Sequence, residues 1–359
     1  MAGNSIDAIV TDPPYGLSQT RPDKVADTIT RWATGERDYT PGGKGFMGKA
    51  WDSFVPPPAV WDECMRVLKP GGHLLVFAGT RTQDLMGLSI RLAGFELRDS
   101  LTWIYGNGFP KGKSALKPAQ EPILLARKPL YGTVAANMSE FGTGALNIDE
   151  CRVGMSDEDR GRARVPMGEW SSSGTTGATD KRSGQCFEPA PAGRWPANVL
   201  LDPDAAAAMD EQSGVLKSGA WSGARNNPKF NGATYNGGNQ YQGGKERGTT
   251  GDSGGASRFF SVFKYQAKAP KRERPVIERE DGTRVAHPTV KPLALMEWLV
   301  TLITPPGGTV LDPFAGSGTT LEAALMGGFT PVGIEAESDY IPLIEARLSR
   351  VEDTLEATL

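Results

Sequence analysis

At 359 residues the chain exceeds the usual size of one small domain, so a large domain with an insertion, or two domains, is expected. A hydrophobic content of 38% supports a real core, and the lack of a membrane-length apolar run or a basic-then-apolar leader sets the expectation of a cytoplasmic protein with no membrane partner. The net charge of −3 does not by itself point to nucleic acid, and two histidines with three widely spaced cysteines argue against a histidine base, a zinc site or a disulfide framework, so no metal is expected.

In chain order, residues 5–12 read as a short buried strand with Ile6, Ala8, Ile9 and Val10 in a near-continuous apolar run. It stops abruptly on Asp12-Pro13-Pro14-Tyr15, and two prolines cannot continue a ladder. Residues 56–67 look helical and end before KPGG, which reads as a turn. HLLVFAG (73–79) is a second buried strand, residues 80–94 a helix with a glycine stop, and 95–104 and 122–128 further strands. Strand alternating with helix is the pattern of a doubly wound parallel sheet.

The texture changes after about residue 130. Residues 213–257 hold 12 of the 45 glycines among Asn, Ser and Gln, which predicts a long loop without periodicity. RWPANVLLD (194–202), followed by an alanine run, is an ordered island. Residues 151–290 carry 20 Lys and Arg against 16 Asp and Glu, so the middle is mildly basic between acidic flanks. Within it, RFFSVFKYQAKAPKRER (258–274) interleaves Phe259, Phe260, Phe263 and Tyr265 with Lys264, Lys268, Lys271 and Arg272. That segment suits phosphate contacts, and equally a core strand with a solvated charged edge. YGNGFPKGKSALK (105–117) is an acid-free loop carrying Lys111, Lys113 and Lys117.

Order returns near 286 with a helix over 290–304, strand–glycine loop–helix over 308–328, a strand over 330–336 and a closing helix over 338–350. Asp312 ends a strand, and Gly316 and Gly318 lie in the turn before a helix, where free N–H groups meet a ligand. A triphosphate loop would need Lys where Thr319 stands, and a dinucleotide fingerprint would need Gly at Leu321. S-adenosylmethionine, with an amine and a carboxylate but no pyrophosphate, is the third ligand. Asp312 would meet its ammonium and Glu335, at the next strand end, its ribose hydroxyls.

Asp-Pro-Pro-Tyr at one strand end and Asp-Pro-Phe-x-Gly-x-Gly at another resemble the amino-directed DNA methyltransferases, which methylate N6 of adenine or N4 of cytosine. The resemblance covers residues 5–129 and 286–350 and implies a Rossmann-like, S-adenosylmethionine-dependent α/β sheet with a large central insertion. DPPY far ahead of the glycine loop resembles the permuted, beta-type order. It implies a catalytic half (1–130), a target-recognition insertion (131–285) and a cofactor half (286–359). It implies a catalytic set of Asp12, Pro13, Pro14 and Tyr15. The implied cofactor set is Asp312, Phe314, Gly316, Ser317, Gly318, Thr319 and Glu335. HPTVKP (287–292) resembles the family's segment ahead of the cofactor loop and adds Thr289 and Lys291, near the methionine carboxylate. Asp at the first motif position favours adenine over cytosine. The implied substrate is double-stranded DNA, with a second copy of the chain and a cognate restriction enzyme as partners the class admits. Many relatives carry a Gly-Asp-Cys segment and helix upstream of DPPY, and Met1 standing just before the strand motivates the contrary reading of an inactive DNA-binding protein.

Overall fold

The computed structural model describes residues 1–17, 21–43, 45, 52–106, 108, 113, 116–154, 165–166, 186–187, 193–217, 253–263, 274–278 and 281–356. By internal contacts they form two units: residues 1–151, 197–206 and 260–359, and residues 152–196 and 207–259.

The first unit is built on one eight-stranded sheet. Its strands are β1 (Ile6–Thr11), β2 (Leu68–Phe77), β3 (Glu96–Ile104), β4 (Gln120–Arg127), β5 (Val199–Leu201), β6 (Ser261–Val262), β7 (Thr309–Asp312) and β8 (Thr330–Gly333). The spatial order is β6-β5-β3-β4-β2-β1-β7-β8. Every neighbouring pair is parallel except β4 with β2 and with β3. The expected doubly wound sheet is therefore present, with one reversed strand inside it. The ordered island at 194–202 supplies β5, and part of the 258–274 segment supplies β6 at the edge.

The helices are α1 (Pro22–Thr34), α2 (Pro58–Val67), α3 (Gln83–Leu92), α4 (Val134–Phe141), α5 (Pro203–Ser213), α6 (Leu293–Ile303), α7 (Thr319–Met326) and α8 (Ile341–Glu356). None of the described helices is long and apolar enough to cross a membrane. Both faces of the sheet are covered, which explains why its central strands read as apolar runs rather than alternations. Ala8, Val10, Leu75, Phe77, Ile123, Leu125 and Val310 pack on one side with Leu295, Leu299 and Ala324 of α6 and α7. Ile9, Leu74, Val76, Leu124 and Leu311 pack on the other with Trp32, Trp61, Cys64, Met86 and Ile90 of α1 to α3. Each such fully buried aliphatic side chain stabilises by about 1.5–3 kcal/mol relative to exposure.

Two elements differ from the sequence expectation. KPGG is not a turn between a helix and a strand but belongs to β2, which begins at Leu68. The β1–β2 register passes from Ile6↔Leu68 to Ala8↔His73, so extra residues bulge out of β2. Gly71, at φ 72°, makes that bulge with no Cβ to strain. Helix α1 has no counterpart in the sequence reading, although Val25, Ile29 and Trp32 share one face and Pro22 at its start and Gly35 in the left-handed region at its end are boundary signals; only Thr28 and Trp32 are fully buried.

The connections of β1 and β7 leave in opposite directions, through α1 and α2 to β2 and through α7 to β8. The carboxyl ends of these two adjacent parallel strands therefore open into a crevice, where ligands bind in open α/β sheets. Arg347 of α8 supports one wall. It is fully buried, donates from Nε to the Ser317 carbonyl at 2.9 Å and pairs with Glu322 of α7. Arg347→Met leaves Glu322 without its buried partner, and we expect a loss of about 3–5 kcal/mol in urea unfolding. An unchanged midpoint would show that this pair does not support the loop.

In the second unit, Leu216–Lys217 and Ser253–Gly254 form a short antiparallel ribbon, and Val153 bridges Arg194. Asp210 accepts from both the backbone N–H and the hydroxyl of Ser257. Arg152 lies over the exposed ring of Trp195, 5.3 Å from its centroid.

Candidate active site

The two strand-end motifs meet. Ala8 and Ile9 of β1 are in register with Val310 and Leu311 of β7. Where both strands end, the Thr11 hydroxyl donates to Asp312 Oδ1 at 2.7 Å. The link joins residues 301 positions apart in sequence.

After Thr11 the chain turns sharply. Proline at 13 and 14 fixes φ and removes two donors, so the strand cannot extend. Gly16 completes the turn at φ 61°, and a Cβ there would lie 2.7 Å from the backbone of Phe54 and Val55. Its N–H donates to the buried Asp52 carboxylate at 3.0 Å. The Tyr15 carbonyl accepts from the Thr82 hydroxyl at 2.6 Å. Tyr15 is thus held from both sides of its backbone. Gly16→Ala combines strain at a positive φ with a backbone clash, and we expect it to cost about 2 kcal/mol in thermal unfolding. Wild-type stability would show that the turn tolerates a side chain.

Asp12, Tyr15, Glu121 and Lys291 form one compact cluster. The Tyr15 hydroxyl lies 2.7 Å from Asp12 Oδ1 and 2.6 Å from Glu121 Oε1, so one proton serves two carboxylates. Lys291 Nζ lies 3.0 Å from Asp12 Oδ2, 2.8 Å from Glu121 Oε1 and 2.9 Å from the Tyr15 oxygen. Its three hydrogens have three acceptors. The ammonium also sits 4.7 Å from the Phe77 ring centroid. The Lys291 side chain is 13% exposed, and desolvation alone would lower its pKa. Asp12 and Glu121 outweigh that and raise it, so the amine stays charged. Burial raises the Tyr15 phenol well above its ordinary value, helped by the same two carboxylates, so it stays protonated.

The glycine loop stands beside this cluster. Asp312 is 2% exposed, and burial pushes its pKa up to about 6 against the hydrogen bonds from Thr11, Thr320 and the Phe314 N–H. Gly316 has φ 53°, and a Cβ there would lie 3.0 Å from His287 Nε2. Gly318 has φ 81° and caps α7. Ser317 and Thr319 are buried, with their hydroxyls 3.4 Å apart, and the Phe314 ring packs 6.4 Å from that of Trp61. Glu335, just past β8, accepts from the Gly316 N–H at 2.7 Å and the Glu337 N–H at 2.8 Å. His287 packs edge-on against Tyr340 at 4.7 Å, and its Nδ1 lies 2.5 Å from the Thr289 carbonyl. That carbonyl only accepts, so Nδ1 carries the proton. Burial lowers the His287 pKa, which favours the neutral ring at neutral pH. The Thr289 residue itself is exposed.

Of the residues singled out from sequence, Asp12, Tyr15 and Lys291 are brought into one cluster, and Asp312, Gly316, Gly318 and Glu335 into the adjoining loop. Lys291 lies between Asp12 of the first motif and Glu121, a placement the HPTVKP segment did not suggest. Lys113 lies in an exposed turn. Lys111, Lys264, Lys268, Lys271 and Arg272 lie outside the described residues, as does most of the glycine-rich stretch. Sequence reasoning missed Glu121. Its signal was an acid at the start of a strand, and only the reversal of β4 brings that start to the carboxyl end of β2, where the Ala78 N–H meets the Pro122 carbonyl.

The N6_N4_Mtase family model, described as DNA methylase, matches residues 6–346. The type II methyltransferase M.ScaI of Streptomyces caespitosus is 38% identical over 78 residues, 22% of this chain and 26% of that protein. YubD of Escherichia coli, described as a methylase, is 41% identical over 70 residues, 20% of this chain and 31% of that protein. The matched stretch thus spans about a quarter to a third of these curated relatives. Among solved structures, the cytosine-N4-specific PvuII DNA methyltransferase is similar at 13% identity and a TM-score of 0.45, covering 98% of this chain and 85% of that one. A DNA modification methylase of Thermus thermophilus, solved with S-adenosyl-L-methionine, is similar at 17% identity and a TM-score of 0.42, covering 98% and 90%. The breadth of the family match, with both of its strand-end motifs joined at adjacent strands, places this chain in the N6/N4 DNA methylase family.

Proposed function

We propose that the chain transfers a methyl group from S-adenosylmethionine to N6 of adenine in duplex DNA. The observation that carries the reading is the junction at Thr11 and Asp312, which sets an acceptor-rich strand end beside a glycine loop with two further acids. The donor set fits this cofactor. Gly316 and Gly318 hold the left-handed backbone that shapes this loop, at φ 53° and 81°, and carboxylates stand at the ends of two successive strands. Asp312 directs negative charge at an ammonium, and the Glu335 oxygens keep lone pairs for two hydroxyls. Phe314, Ser317, Thr319 and Thr289 shape the same wall. Bound S-adenosylmethionine supplies an electrophilic sulfonium methyl.

The chain's own residues act on the base. The exocyclic nitrogen is a poor nucleophile because its lone pair is delocalised into the ring. Asp12 accepts one of its N–H bonds and the Pro13 carbonyl the other, which turns the nitrogen towards a tetrahedral, nucleophilic form. Proline at 13 and 14 fixes that carbonyl beside the carboxylate. The Tyr15 ring offers a stacking face. Methyl transfer leaves a proton on the nitrogen, and Asp12 is placed to take it. Positioning and electrostatic preorganisation supply the acceleration, with no covalent enzyme intermediate. The base must leave the duplex to reach this pocket, at about a few kcal/mol of unstacking. Asp at the first motif position supports adenine over cytosine. Lys111, Lys113, Lys264, Lys268, Lys271 and Arg272 are proposed phosphate contacts.

The test is label transfer. Incubated with unmethylated duplex DNA and methyl-labelled cofactor, the protein is expected to place label in acid-insoluble DNA. Transfer to RNA but not to DNA would replace the substrate, and label in neither would remove the enzyme reading.

A further inference from the structure

We propose that Glu121 is a positioning residue for the methyl-transfer step: it shares Lys291 with Asp12 and so keeps Asp12 from being neutralised. This rests on the methyltransferase reading above. Asp12 works by accepting from an amine that becomes cationic as the methyl arrives. A lysine ammonium 3.0 Å from Asp12 Oδ2, on a side chain only 13% exposed, opposes that cation directly. With Asp12 and Lys291 alone, the site would be neutral and ill suited to a positive transition state. Glu121, 2.8 Å from the same ammonium, restores one net negative charge to the cluster. It also draws the lysine hydrogens and the Tyr15 hydroxyl towards itself, 2.6 Å from that oxygen. Asp12 keeps lone-pair capacity for the substrate. Other ionisable groups face this set. Asp312 lies across the Thr11 bridge, and His287 stands on the segment that carries Lys291. Burial lowers the His287 pKa, so it adds little positive charge at neutral pH.

Glu121→Gln tests the charge alone, because the amide oxygen still accepts from Lys291 and Tyr15. Under saturating cofactor and DNA, its single-turnover rate is expected to fall about 100-fold. The cofactor Kd, read by calorimetry, is expected to stay within about threefold. The discriminating arm is the double variant Glu121→Gln/Lys291→Met. It removes one charge of each sign and restores one net negative charge beside the substrate, so it should be at least about tenfold faster than Glu121→Gln. Lys291→Met alone leaves two carboxylates without their cation and should itself be slow. A role confined to packing would make the double variant slower than either single one. Wild-type turnover in Glu121→Gln, or a double variant no faster than it, overturns the assignment while the methyltransferase reading stands. A wild-type chain that binds cofactor and labels no DNA overturns that reading and this inference with it.

Discussion

Asp12→Ala is expected to lower single-turnover methyl transfer by about 10³-fold while leaving cofactor affinity within about threefold of wild type. In the proposed mechanism the carboxylate accepts from the amine in the transition state, and its removal takes away both a hydrogen-bond acceptor and a charge at the reacting nitrogen. The fold should survive the change. Asp12 lies past the end of β1 with its side chain 21% exposed, and Lys291 keeps Glu121 as a partner. Asp12→Asn, which keeps an acceptor and loses the charge, should fall between alanine and wild type. The measurements are rapid-quench transfer to a saturating duplex and calorimetric titration with the cofactor. Retained turnover in Asp12→Ala would take Asp12 out of the chemistry and leave Glu121 as the carboxylate to act.

The second large effect concerns pH. Burial raises the Asp312 pKa from 3.8 to about 6 in the ligand-free protein. In the proposed cofactor site the ionised form is the one that attracts the ammonium. Affinity should therefore be level above about pH 6 and weaken below it by up to about tenfold per pH unit, as protonation competes. Near pH 8 the cofactor's own α-amine begins to lose its proton, which closes the window from above. The stability effect has its own sign. Between 3.8 and about 6 the folded chain holds a proton that the unfolded chain has released, so Asp312 makes the protein less stable as pH rises through that window. Asp312→Asn should bind cofactor weakly and flatten the acid limb. Calorimetric Kd values from pH 5 to 7.5 check this. An acid limb unchanged in Asp312→Asn would assign the titration to another group, with His287 as the nearest candidate.

Much of the fold was legible because both faces of the sheet are covered. Ile6, Ala8, Ile9 and Val10 had to be apolar whichever face they met, and the runs in β2 and β4 read the same way. Each motif announced itself where a strand ended on residues that cannot continue a ladder. Their adjacency was not legible, since residues so far apart in sequence are paired only by the register of β1 with β7. Glu121 was hidden for a related reason: an acid opening a strand has no meaning until that strand is known to be reversed. KPGG read as a turn because Pro and Gly usually punctuate, yet tertiary pairing absorbed it as a bulge. Helix α1 escaped notice although Val25, Ile29 and Trp32 stand at helical spacing, because Asp23, Lys24, Asp27 and Arg31 interrupt that stripe in the linear sequence.

Methylation of an exocyclic base nitrogen by Asp12 and its neighbours, as proposed, leaves a product that can be identified directly. The most direct measurement incubates wild-type and Asp12→Ala protein with unmethylated duplex DNA and S-adenosylmethionine, digests the DNA to nucleosides, and identifies the product by mass spectrometry. The expected result is N6-methyladenine from the wild type and none from the variant. N4-methylcytosine would keep the mechanism and correct the base. A C5-methylated cytosine, or the same product from both proteins, would rule out this chemistry at Asp12.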